Sequence, residues 1–224
     1  MKNKNIPIPD RKQCLSLISE TEMPEHIAAH SFQVCRVTLL LTDYLNSGEH
    51  ILNRELAEAG ALLHDITKNR SLKSGEKHAE SGGQFLRERG YPEVGEVVRQ
   101  HVRLDHFASD SPLTEAEIVN YADKRVLHDR IADLQARMEY IMQRYGSSPE
   151  LRARLDIVWE EARQQEKKIF RKLPFAPESL ADYLPSPGCE AEMREYQRFC
   201  KGQRFVSAKI VGSGSNPLKK TPLP

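Results

Sequence analysis

A run of small and apolar residues, Gly60-Ala61-Leu62-Leu63, ends on two polar neighbours, His64 and Asp65. This short stretch restricts the fold more than any other. Helical spacing puts the run in a core, and burying an unpaired carboxylate costs several kcal/mol. A fold that buries Asp65 must therefore bring it a counter-charge, a proton or a metal ion from elsewhere in the chain.

The rest of the pattern is helical. Asp10 and Gln13 stand at capping-box spacing before Leu15, Leu17 and Ile18. Pro24 suits the first turn of a longer helix, whose apolar stripe is Ile27, Val34, Val37, Leu41 and Tyr44, with Gly48 beyond its end. Asn53 caps a third helix carrying Leu56, Gly60 and Leu63 up to the His64-Asp65 pair. Residues 69–77 read as a loop, and a helix starts near His78. Gly90 and Pro92 punctuate the join to a helix holding Val94, Val97, Val98 and His101. Thr114 and Glu117 form a second capping box ahead of Ile118, Ala122 and Val126.

Two long amphipathic helices are expected next. One carries Ile131, Leu134, Met138, Ile141 and Tyr145. The other starts at Ser148-Pro149-Glu150 and carries Leu151, Leu155, Val158, Ala162, Ile169 and Phe170, with a polar middle, EEARQQEKK, that should face solvent. No alternating strand pattern is found. The fold class is all-α, a compact helical core with additional C-terminal helices. The core is expected over 1–145, a helical extension packed on the same domain or beside it over 146–205, and a disordered tail over 206–224.

Composition limits the partners. The 33 basic and 32 acidic residues leave a formal net charge of +1, so no overall field drives binding to nucleic acid or to a membrane. The longest apolar stretch, Val37–Leu41, is too short to span a bilayer. The four cysteines make no CxxC pair and no zinc-finger spacing, which fits reduced thiols in a cytoplasmic protein. The opening MKNKNIPIPD lacks the apolar region of a secretory signal.

The histidines carry the chemistry. His30 lies on the buried stripe of its helix, His64 on the packed side of its own, and His101 one turn after Val97 and Val98. Asp123 stands four residues after Val119 and three before Val126. Taken alone, each such group is more often a hydrogen-bonded core residue than a ligand. Several of them pointing inward from different helices is how helical folds build metal sites.

The segments HSFQVCRVT, ALLHDITK, HAESGGQFL, VVRQHV and YADK occur in an order and at a spacing that resemble the HD-domain superfamily of metal-dependent phosphohydrolases, in its HDxxK variant. The resemblance covers about residues 24–127 and the helix that follows. It implies an HD-domain-like helical core around the metals. Matched position by position, it implies that His30, His64, Asp65 and Asp123 hold one ion, and that His78 and His101 complete a second with Asp65 as the bridge. Neighbours on a helix point about 100° apart, so His64 and Asp65 can serve different ions.

The cofactors implied are two divalent ions, of Mn, Fe, Co, Ni or Mg, that activate a water for attack on phosphorus. Asp65 and Lys68 are then the catalytic residues, with Lys68, and more weakly Lys124, contacting the phosphate of a small phosphorylated substrate such as a nucleotide. Two other readings keep the same residues. One is a mixed-valent di-iron oxygenase, like the relatives that resemble myo-inositol oxygenase. The other is a non-catalytic signalling or scaffold domain with a structural metal, in which the long helices after residue 128 support a homodimer.

Overall fold

The helices follow from the capping and apolar signals in turn. The structure, a computed structural model, describes residues 7–48, 52–184 and 188–212, with side chains described through residue 202. Contacts divide the chain into two units, residues 1–189 and 190–224. The second contains helix α10 (Glu190–Gly212). Of the tail expected over 206–224, residues 206–212 continue helix α10, and residues 213–224 lie outside the described residues, as does His50.

The first unit opens with α1 (Arg11–Glu20), capped by Asp10 in a complete capping box with Gln13. The central helix α2 (Glu25–Asn46) buries Ile27, Val34, Val37 and Leu41. Helix α3 (Arg54–Leu63) is capped by Asn53 and stops at His64. Helices α5 (His78–Glu88) and α6 (Pro92–Arg99) form a hairpin, and α7 (Glu115–Lys124) returns across α2, α3 and α6 from the Thr114–Glu117 capping box. The hairpin turn is Gly90-Tyr91-Pro92, with Gly90 at φ +86 and Pro92 in the first turn of α6. The two helices cross closely. A Cβ on Gly83 would lie 2.7 Å from the Gly95 carbonyl, and one on Gly95 would lie 2.5 Å from the Gly83 carbonyl.

Three expectations are corrected. Residues Lys68–Ser74 form a short helix, α4, and not a loop. Its start is tied down by Thr67, whose hydroxyl donates to the His78 carbonyl at 2.9 Å. Residues Val126–Leu127 and Arg130–Ile131 pair as a two-stranded antiparallel ribbon, β1 and β2, too short to show alternation in the sequence. Ile131 therefore belongs to a strand, and helix α8 spans Leu134–Tyr145 with Leu134 as its one buried residue.

The polar middle of α9 (Pro149–Phe170) is also not wholly solvated, since Gln165 and Lys168 are buried. Lys168 donates to Glu117 Oε1 at 2.6 Å and to Ser111 Oγ at 2.9 Å, which fastens α9 to the capped end of α7. Tyr145-Gly146 is a helix–helix turn within the first unit. Among the described residues, no helix is long and apolar enough to cross a membrane.

Candidate metal centre

The structure brings together the ends of four elements and the first third of α2. His30 comes from α2, and His64 and Asp65 from the turn after α3. His78 opens α5, His101 follows α6, and Asp123 lies in the last turn of α7. His64, Asp65 and His101 are buried to 1% exposure or less, and His30 to 6%. The rings pack edge to face, 5.3 Å between His30 and His64 and 4.9 Å between His64 and His101. His78 is the most open of the six, with its side chain 27% exposed.

Two groups of donors result. His30, His64 and Asp65 form one, and Asp65, His78 and His101 the other, each with ligand atoms within 4.8 Å of one another. Asp123 joins the first, its Oδ1 lying 2.9 Å from His30 Nε2 and 3.7 Å from His64 Nε2. In the second, Asp65 Oδ1 lies 3.3 Å from His78 Nε2 and 3.6 Å from His101 Nε2. Asp65 is common to both.

Three of the imidazoles have a fixed tautomer. The Nδ1–H of His64 donates to the Ala61 carbonyl at 2.8 Å, that of His101 to Val98 at 2.6 Å, and that of His30 to His128 at 2.7 Å. Each Nε2 then turns a lone pair inward, the arrangement metal-binding histidines use. The consequence is a crowd of unshared electron pairs. His30 Nε2 faces a carboxylate oxygen, and the Nε2 atoms of His78 and His101 face each other at 3.1 Å. His64 Nε2 and Asp65 Oδ1 are buried with no hydrogen-bond partner. Leaving such atoms unsatisfied costs roughly 1–3 kcal/mol each, and a cation shared among them removes the cost. Donors of nitrogen and oxygen alone suit Mn, Fe, Co, Ni or Mg.

The electrostatics agree. Burial alone would raise the Asp65 carboxyl, but the charge of Lys68 opposes it, and the carboxyl stays well below the usual carboxylate range. Asp123 behaves likewise, with burial opposed by the charge of Arg137. Burial, and then His101, push the His78 imidazole down to about 4, so it is neutral and free to ligate.

Lys68 sits at the mouth, 33% exposed, with Nζ 2.7 Å from Asp65 Oδ2. It opens α4, where the helix dipole disfavours a cation, so the carboxylate and not the helix holds it. Lys124 does not face the mouth. It is buried and donates to Asn120 Oδ1 at 2.6 Å and to the Asn120 carbonyl at 3.2 Å, and burial pushes its ammonium down to about 8. Asn120 in turn donates to the His101 carbonyl at 3.0 Å, so Lys124 supports a ligand from behind.

Sequence reasoning missed Asn120 and Thr67, which hold ligands through main-chain atoms and leave no signature in residue type. It also missed Arg137 of α8, whose Nη2 lies 3.8 Å from Asp123 Oδ1.

A known family covers the segment that holds all six residues. The family model described as HD domain matches residues 27–126. The chain is 29% identical over 147 residues to the tRNA (cytidine(56)-2'-O)-methyltransferase of Picrophilus torridus, an alignment covering 59% of this chain. The chain thus spans about two fifths, 40%, of the length of the curated relative it matches. Among solved structures, that of a predicted HD superfamily hydrolase from an uncultured Thermotogales bacterium is similar at 20% identity and a TM-score of 0.41, covering 74% of this chain and 94% of that one.

Proposed function

We propose that this chain, whose residues 27–126 match the family model described as HD domain, is a metal-dependent phosphohydrolase acting on a nucleotide or another small phosphoester. One observation carries the proposal. Two groups of buried donors share Asp65, and two of their atoms, His64 Nε2 and Asp65 Oδ1, have no partner in the protein.

His30, His64, Asp65 and Asp123 would hold one ion, and Asp65, His78 and His101 the other. When bound, divalent ions supply an activated water at neutral pH and stabilise charge on phosphoryl oxygens. The residues contribute preorganisation. Main-chain carbonyls lock the imidazoles of His30, His64 and His101, so these ligands do not have to reorient during turnover. Lys68 neutralises Asp65 in the resting protein and is exposed enough to reach a phosphate oxygen at the mouth.

The test is release of phosphate or nucleoside from a broad phosphoester panel by Mn- or Fe-loaded protein. Nucleotides head the panel, in keeping with a curated relative named for a tRNA cytidine. Turnover that disappears in D65A supports the proposal. Silence across metals and substrates overturns it in favour of a scaffold role. A mixed-valent iron signal with O2 consumption overturns it in favour of an oxygenase. We also propose a homodimer through α8 and α9, on which Tyr145, Leu151 and Ile157 are 55%, 40% and 57% exposed. Light scattering on the purified chain checks that.

A further inference from the structure

Arg137 is held only loosely by its own helix, where its guanidinium lies 6.0 Å from the centre of the Tyr140 ring. Its helix, α8, is capped by Asp133 and packs against α9, yet its guanidinium reaches toward the metal centre. The side chain is 12% exposed. Its Nε is buried without a hydrogen-bond partner, and its ion-pair partner is Asp123 Oδ1 at 3.8 Å, beyond hydrogen-bond reach. That same oxygen already faces His30 Nε2 at 2.9 Å.

A guanidinium keeps its charge at any working pH and offers five donors. Once an ion occupies the site beside Asp123, that carboxylate is committed to it. Arg137 is then a buried cation next to a metal cation, with its fork unfilled. Only an anion arriving with the ligand can satisfy both. Lys68 stands beside the other carboxylate, with Nζ 2.7 Å from Asp65 Oδ2. The two carboxylates of the centre thus each carry a basic residue, one from α4 and one from α8.

We propose that Arg137 binds the phosphate of the substrate, closing on it from α8 as Lys68 does from α4, and that the substrate is a phosphomonoester dianion. This rests on the phosphohydrolase reading above. Two carboxylates cannot neutralise two divalent ions, and Lys68 and Arg137 add further positive charge. A dianion gains more from that field than the single charge of a diester. The planar fork of Arg137 also matches two oxygens of a terminal phosphoryl group.

The test uses the full chain loaded with Mn, as wild type, R137Q and R137K. Bound metal is measured by mass spectrometry, and inorganic phosphate binding by calorimetry. Rates are followed on a phenyl phosphate monoester and the matching diester. Expected for R137Q is unchanged metal content, phosphate binding weaker by about thirtyfold, and a loss of kcat/KM larger for the monoester than for the diester. R137K, which keeps the charge without the fork, should fall between, and it serves alone if R137Q fails to fold.

Phosphate affinity equal to wild type in the variant overturns the inference, as does loss of metal, which would make Arg137 a support for the ion. Wild-type protein that binds no phosphate overturns it too. Wild-type protein that binds phosphate through Arg137 but hydrolyses nothing refutes the hydrolase reading and leaves the phosphate site standing. Hydrolysis insensitive to R137Q does the reverse.

Discussion

His30 Nδ1 and the carbonyl oxygen of His128 lie 2.7 Å apart although 98 residues separate them in the chain. The carbonyl is aimed by the turn between β1 and β2, where His128 adopts φ +59, a left-handed conformation that residues other than glycine rarely take. H128G should therefore be more stable than H128A by about 1 kcal/mol, since both lose the ring contact with Tyr140 and only alanine keeps the strain. Thermal denaturation of the two variants checks this. A valine there should also loosen the carbonyl and weaken metal binding about tenfold, read by competition with a chelator.

Because Asp65 belongs to both groups of donors, the metal stoichiometry of variants should be asymmetric. H101A is expected to keep the ion held by His30, His64 and Asp123, and H30A to keep the other. D65N should lose both. Elemental analysis after gel filtration distinguishes these outcomes, and equal loss in all three would show a single site.

The His78 imidazole is pushed down to about 4 from the ordinary histidine value of 6.5. Between those values the unfolded chain binds a proton that the folded protein refuses. Stability is therefore complete above pH 6.5 and declines as the pH falls toward 4. Melting temperatures of the metal-free protein should follow that slope, and H78Q should flatten it. Metal binding to the folded protein at the second group should weaken only as the pH falls to about 4 and below, where His78 takes up its proton and loses the lone pair.

Gly83 and Gly95 set the distance between α5 and α6, and so between His78 at the start of one and His101 just past the end of the other. G83A should cost about 3 kcal/mol in urea denaturation, because the added carbon meets a carbonyl that cannot turn away. The same variant should lose the second ion before the first.

The ion pair of Lys168 and Glu117 is buried on both sides, at 2% and 3% exposure. K168M leaves Glu117 charged and unpaired and should destabilise by about 3–5 kcal/mol. K168M/E117L should recover much of that stability. Equal stability of the two variants would show that the pair contributes little.

The parts of this molecule that could be read in the sequence share one property: the signal and its cause lie within a few residues. The Asp10–Gln13 and Thr114–Glu117 boxes close over three residues, and the stripe of α2 repeats along one helix. Four candidate ligands, His30, His64, His101 and Asp123, were read as inward-facing positions on such helices, Asp65 as the neighbour of one, and His78 rested on the resemblance alone. Where the cause lies far away, the reading failed. Lys168 looks like a solvated lysine until Glu117, 51 residues earlier, is brought against it. Helix α4 has no apolar stripe and depends on contacts of Thr67 with α5. Lys124 is of a type that suggests a phosphate ligand, and Asn120 beside it claims the ammonium.

His64 caps α3, His78 begins α5, His101 lies just beyond α6 and Asp123 is in the last turn of α7. Apart from His30, inside α2, the centre thus takes its coordinates from where helices stop and start. Extra residues inserted at the exposed positions 108–110 of the 102–113 connector would lengthen an exposed excursion without shifting any donor atom. Such a chain can lengthen or trim that connector, and reshape whatever lies around the mouth, while the ion-holding atoms stay where they are.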